Sequence, residues 1–293
     1  MRSELPGATV LAHITRNNND MGLHAMGGEA VSRGREEILP YFFGEDRSLY
    51  ACHHFPFTDS AHEAVLICGA TGHEYERCHR ATRQLAVQLA RAGYATMRFD
   101  YSGTGDSAGE YAQASLAQWQ HDVAAAADEC RRRTGCERLC MIGVRLGAAL
   151  AAQAAVGRND ASRLVLYAPA MDGATLLAEW RREQADFDRK YNRATAEAPN
   201  EVLGFPLTEA FRAELGNELV PRAPGPALRR VLILAEVPDE SPIRQAATVL
   251  ASRGADVTVE QANGPAVWRR DPSEGIVPFK VLRRIADWMK EEP

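Results

Sequence analysis

The chain has 293 residues, of which 45% are hydrophobic and 25% charged, with a formal net charge of -5. That length holds one large α/β domain or two small ones, and the acidic balance excludes a whole-chain electrostatic footprint for nucleic acid. No run approaches the roughly 20 apolar residues that span a bilayer.

The first residues, "MRSELPGATVLAHI", have one arginine and an apolar stretch broken by Pro6 and Gly7, so they do not read as a signal peptide. Six cysteines (Cys52, Cys68, Cys78, Cys130, Cys136, Cys140) include no Cys-x-x-Cys pair. They read as reduced thiols of a cytoplasmic protein, not as a disulfide frame or a zinc site.

Residues 1–34 are polar and Gly-rich without sustained periodicity, which predicts an N-terminal extension. From Glu37 onward, short apolar runs alternate with segments of helical period, the pattern of βαβ units and a mostly parallel sheet. The predicted strands are "EILPYFF", "SLYACHH", "AVLIC", "YATMRFD", "RLCMIG", "RLVLYA", "RVLILAEV" and "DVTVEQ", the first two as an antiparallel pair. Predicted helices are "RCHRATRQLAVQLARAG", "SLAQWQHDVAAAADECRRR", "RLGAALAAQAAV", "SPIRQAATVLASRG" and "VPFKVLRRIADWMKEE", several ending at glycine. The charged interval 173–228 is too long for a plain connection and predicts a helical cap inserted into a core of residues 35–172 and 229–293.

Three local matches carry a family resemblance. "RFDYSGTGDSAG" resembles the Asp-x-x-Gly-x-Gly-x-Ser loop after the fourth strand of many α/β-hydrolases, with Asp100, Gly103, Gly105 and Ser107 on its pattern. "LICGATGHEYERCHR" resembles the oxyanion loop after the third strand, and "GVRLGAALAA" the nucleophile elbow and its helix. The resemblance implies an α/β-hydrolase fold: a mostly parallel, twisted sheet of about eight strands with flanking helices and an inserted helical cap. "PYFFGEDRSLYACHHFP", "LYAPAMDG" and "EVLGFPLT" narrow it to the serine-aminopeptidase-like branch that includes hydrolases associated with exosortase systems.

Two positions depart from that pattern together. Arg145 stands where the elbow serine is expected, and all eight histidines (His13, His24, His53, His54, His62, His73, His79, His121) precede it. The loop expected to hold the catalytic histidine reads "ANGPAVWRRDPSEG", with Trp268 at its centre. Arginine stays protonated and has no lone pair to offer, so Arg145 is neither nucleophile nor general base. Asp239, Glu240 and Asp172 are the candidates for the triad acid.

Arginine does hold planar anions well, and at the elbow it would face the carboxyl ends of the strands beside a helix N-terminus. Two readings follow: Arg145 binds a ligand carboxylate, phosphate or acyl-carrier phosphopantetheine, or it pairs with Glu74, Glu76 or Asp172. His73 is the expected proton-transfer residue, with Glu74 or Glu76 orienting it and backbone N–H groups of Gly69–Gly72 polarising a carbonyl.

The ligand-facing set is Gly69, Thr71, Gly72, Glu74, Tyr101, Ser102, Arg145, Leu146, Asp172 and Trp268. Trp268 either stacks on a ligand or plugs the site, while Ser102 and Ser107 read as backbone caps and Cys68 as a small buried hydrophobe. The expected partner is a small-molecule or carrier-bound acyl compound of the ester or thioester class, with no cofactor, metal or nucleic acid, and with a homodimer left open. Turnover without a triad (hydrolysis, cyclisation, elimination or acyl transfer) and ligand or partner binding by a pseudo-hydrolase remain the alternatives.

Overall fold

Eight strands form one sheet in the order β1-β2-β4-β3-β5-β6-β9-β10. The computed structural model describes residues 36–58, 61, 63–194, 200–216, 219 and 221–291; the predicted extension 1–34, with His13 and His24, and also His62 lie outside them. Strands β1 (Ile38–Phe43) and β2 (Leu49–His54) make an antiparallel hairpin, and β2 runs antiparallel to β4 (Ala95–Phe99). The rest of the sheet is parallel: β3 (Ala64–Cys68), β5 (Leu139–Val144), β6 (Ala161–Tyr167), β9 (Arg230–Ala235) and β10 (Asp256–Gln261).

The central strands are apolar on both faces, as a sheet covered on both sides requires. Leu66, Met97, Met141, Leu164 and Ile233 point into one core, shared with α2 (Leu116–Thr134), α3 (Leu146–Val156) and α6 (Ser241–Ala251). Their neighbours Val65, Ile67, Ile142, Val165 and Leu232 point into the other, shared with α1 (His73–Arg91) and α7 (Phe279–Lys290). Helix α3, "LGAALAAQAAV", is buried on nearly every face, which explains its lack of polar periodicity.

Between β6 and β9 the chain adds α4 (Gly173–Lys190), the two-residue strands β7 (Glu201–Val202) and β8 (Phe205–Pro206), and α5 (Glu209–Leu215). Leu176, Leu177 and Trp180 of α4 and Phe211 and Leu215 of α5 join the core beside α2 and α3. Asp172 caps α4 by accepting from the Ala174 and Thr175 amides.

One boundary differs from expectation. Helix α1 begins at His73, four residues before the predicted start, so His73, Glu74 and Glu76 occupy its first turn instead of a loop. The cap position is Gly72 at φ 59, without a side-chain cap bond, so the usual Ser/Thr/Asp signal for a helix start is missing. Among the described residues, no helix is long and apolar enough to cross a membrane.

Candidate active site

The turn between β5 and α3 has the strained backbone of an elbow and carries an arginine. Arg145 sits at φ 56, ψ -122 between β5 and α3, a left-handed position that costs on the order of 1–3 kcal/mol for a residue with a Cβ. Two glycines permit the turn. A Cβ on Gly143 would strike the Ala148 backbone at the start of α3, and one on Gly147 would strike the carbonyl oxygens of Cys68 and Gly69. The helix therefore packs its first turn directly against the end of β3.

The Arg145 side chain is 4% exposed and closed in by partners. Its Nε donates to Glu74 Oε1 at 3.0 Å, its Nη2 to Glu179 Oε2 at 2.6 Å, and its Nη1 to the Ala168 carbonyl at 3.4 Å. The guanidinium carbon lies 5.0 Å from the centre of the Trp268 ring, a cation–π distance. Burial works against the charge, but the Glu74 and Glu179 carboxylates outweigh it and hold the guanidinium protonated, above its ordinary pKa. Of the three acids weighed as protein partners, Glu74 makes this contact and Glu76 and Asp172 do not; Glu179, from α4, completes it.

Trp268 occupies the loop after β10 and is 1% exposed. Tyr167 meets it edge-on at 5.6 Å, and its carbonyl accepts from Arg77 Nη1 at 2.7 Å. At that burial its ring has no face open to solvent. Next to it, Arg269 forms a two-pronged pair with Glu236 at the end of β9, at 2.7 and 2.9 Å. Asp239 and Glu240, the predicted acid candidates, are both exposed on the following loop.

A cleft of about 240 Å³ opens beside Arg145 at the carboxyl ends of β6 and β9, between α4 and α6. Its apolar wall includes Met171, Leu176, Val237 and Ile243; its charged groups are Arg145, Arg269, Asp172, Glu179, Glu236 and Glu240. Two cations against four carboxylates leave the lining formally at -2. Of the expected ligand-facing residues only Arg145 and Asp172 line this cleft, joined by Glu240 from the expected acids.

Burial explains why the others do not. Thr71 and Leu146 are fully buried, and Tyr101 is 1% exposed with its hydroxyl donating to the Gly69 carbonyl. Ser102 donates its amide and hydroxyl to Asp122 at 2.7 and 3.0 Å. A side chain on Gly72 would meet the Tyr111 hydroxyl. Ser107 donates to the Asp100 carbonyl and accepts from the Tyr50 amide, which fastens that loop to β2. Burial raises the pKa of the Cys68 thiol, as suits an inert small hydrophobe.

His73 is also outside the cleft. It is 4% exposed, with Trp180 edge-on at 5.6 Å and Glu183 Oε2 at 3.5 Å from its Nε2. Glu183 in turn takes Arg77 Nη1 at 2.5 Å. Burial pushes the Glu183 carboxyl up, but His73 and Arg77 overcome that and leave its pKa below the ordinary value. The predicted orienting residues, Glu74 and Glu76, thus give way to an acid from α4.

The comparisons agree with this architecture. The serine aminopeptidase S33 family model matches residues 60–197. The fold is that of the α/β-hydrolases. Among solved structures, a hypothetical protein from Pseudomonas aeruginosa is similar at 17% identity and TM-score 0.57, over 94% of this chain and 100% of that one. Est1E from Butyrivibrio proteoclasticus, solved with ferulic acid, is similar at 18% identity and TM-score 0.54, covering 82% and 94%. The bottromycin epimerase BotH, solved with bottromycin A2, is similar at 16% identity and TM-score 0.53, covering 86% and 99%. At these identities the likeness speaks for the fold alone. No protein with a curated description matches the sequence.

Proposed function

We propose that this α/β-hydrolase-fold protein binds an acyl compound in the cleft between α4 and α6 and carries no serine-hydrolase chemistry, its elbow having become an ion-pair hub. The observation that supports this most strongly is the closure of Arg145: its guanidinium is taken up by Glu74, Glu179 and the Ala168 carbonyl, over a buried tryptophan where a base would stand. Loss of a triad serine or histidine alone costs on the order of 10⁶ in turnover, and here neither is present at its position.

The cleft also bears on the form of the ligand. A free carboxylate or phosphate would have to displace Glu179 from Arg145 or Glu236 from Arg269, and would enter a lining already negative. A neutral ester, amide or thioester needs no such exchange and can lay its chain along Met171, Leu176 and Ile243. This favours the neutral acyl class and weighs against Arg145 as an anion receptor. The resemblance to the exosortase-system-associated branch supports an accessory role of this kind. Proton transfer through His73 is less well supported, because that residue lies outside the cleft and Trp180 covers it.

A fluorophosphonate probe, which labels activated serines, is expected to leave the protein unmodified. A panel of neutral acyl esters and thioesters should raise the melting temperature more than the matching free acids do, with no product formed. Stoichiometric labelling of any serine, or acyl release above the uncatalysed rate, would overturn the proposal.

A further inference from the structure

On the side of Arg145 away from the cleft, three side chains bring unsatisfied atoms together. Glu74 is fully buried; its Oε1 accepts from Arg145 Nε, and its Oε2 has no hydrogen-bond partner. Glu183 repeats the pattern from α4: Oε2 accepts from Arg77, and Oε1 has none. His73 Nε2, 3.5 Å from Glu183 Oε2, also makes no hydrogen bond. Donor atoms of the three residues lie within 4.8 Å of one another.

An unpaired polar atom in such a place costs on the order of 1–3 kcal/mol, more if it carries charge. Here three neighbouring side chains each keep one such atom, and in its metal-binding tautomer the imidazole too offers a lone pair. Three lone pairs held by one cluster suit a cation. The surrounding charges agree: Glu74, Glu179, Glu183 and Glu236 bring four negative charges and Arg77, Arg145 and Arg269 three positive ones, leaving -1 with His73 neutral.

We propose that His73, Glu74 and Glu183 bind one divalent first-row transition-metal ion of the zinc class. One imidazole and two carboxylates are a borderline N/O donor set, suited to zinc, cobalt or manganese, whereas calcium takes oxygen ligands and magnesium keeps several waters. Metal–ligand distances of about 2.0–2.2 Å require the donor atoms to stand roughly 3.5 Å apart in a tetrahedral site. From a spread of up to 4.8 Å, the donor atoms would have to draw together to that separation when the ion binds. Arg77 and Arg145 hold the outer oxygens and leave one oxygen of each carboxylate for the ion, the orienting role that outer partners play in metal sites. Because His73 and Glu74 stand on α1 and Glu183 on α4, the ion would fasten α4 to α1.

The test uses the full chain, stripped with chelator and titrated with Co²⁺ and Zn²⁺. One equivalent of Co²⁺ should give visible d–d absorption without the near-ultraviolet charge transfer of thiolate ligation, and Zn²⁺ should displace it and raise the melting temperature. His73→Gln and Glu183→Gln, checked for native circular dichroism, should each weaken binding at least tenfold. Cys136→Ser, at the one partly exposed cysteine among the described residues, should leave it unchanged. Binding below one-tenth of an equivalent, or equal affinity in native-like His73→Gln, would overturn the proposal and leave water or a proton as the occupant.

Discussion

Arg145 stands between two unlike regions. On one side lies an open cleft, with both its arginines ion-paired and an apolar wall; on the other lies a closed cluster in which His73, Glu74 and Glu183 keep unsatisfied atoms away from solvent. The same guanidinium serves both, through Nη2 to Glu179 and Nε to Glu74. The difference is one of burial: an ion pair facing water contributes little, while one partner stripped from a buried pair leaves a charge that nothing solvates. At the turn between β5 and α3, Arg145 thus ties α1, through Glu74, to α4, through Glu179.

The sharpest way to break this contrast is Arg145→Ala. It strands the fully buried Glu74 and frees Glu179, and should cost about 5 kcal/mol in urea unfolding, the upper end for a buried pair. A loss below about 1 kcal/mol would mean that the guanidinium is better solvated than its 4% exposure implies. Trp268→Ala removes the buried ring next to it and should cost about 4 kcal/mol, as for other buried tryptophans. The same variant should leave fluorophosphonate labelling absent, since opening the site supplies no nucleophile.

Acid separates the closed cluster from the rest of the molecule. On β2, burial and then Arg133 lower the His53 pKa to about 4, while burial and then Arg98 lower that of His54 to about 3. The unfolded chain therefore binds more protons below pH 6.5, so stability falls as pH drops from 6.5 toward 4, by about 3–4 kcal/mol for the pair at pH 5. Glu183, with a depressed pKa, stabilises above about 4.5 and loses that contribution only as pH falls through its folded value. Glu183→Gln should flatten the stability profile below about pH 4.5 and leave the limb between 6.5 and 4.5 unchanged. Smallest of all, Arg269→Gln breaks a pair whose partners are 41% and 32% exposed and should cost under about 1 kcal/mol. An effect as large as that of Arg145→Ala would erase the distinction between the two sides.

The eight sheet strands were legible because each is a short apolar run bounded by turn residues, whereas their order, with β4 between β2 and β3, is set by packing and is not written in any local pattern. The start of α1 was not, since Gly72 caps it without a side chain and polar His73 and Glu74 resemble a loop. The partner of Arg145 was half legible: Glu74 stood among three candidates, whereas Glu179 depends on how α4 lies over the elbow. The spacing of Glu179 and Glu183, four apart on a helix with Trp180 between them, was the one local sign that α4 presents an acidic face to the core. Glu236 and Arg269 meet because β9 and β10 pair in parallel and bring the loops at their ends together, which no spacing along the chain announces.

If Arg145 is the structural partner of buried Glu74, a double-mutant cycle of Arg145→Met and Glu74→Gln in urea unfolding reads their coupling. The two single variants should each be strongly destabilised and the double variant far less than their sum, giving a coupling energy of about 2–3 kcal/mol. Additive single effects, within about 0.5 kcal/mol, would mean that the two side chains do not stabilise one another.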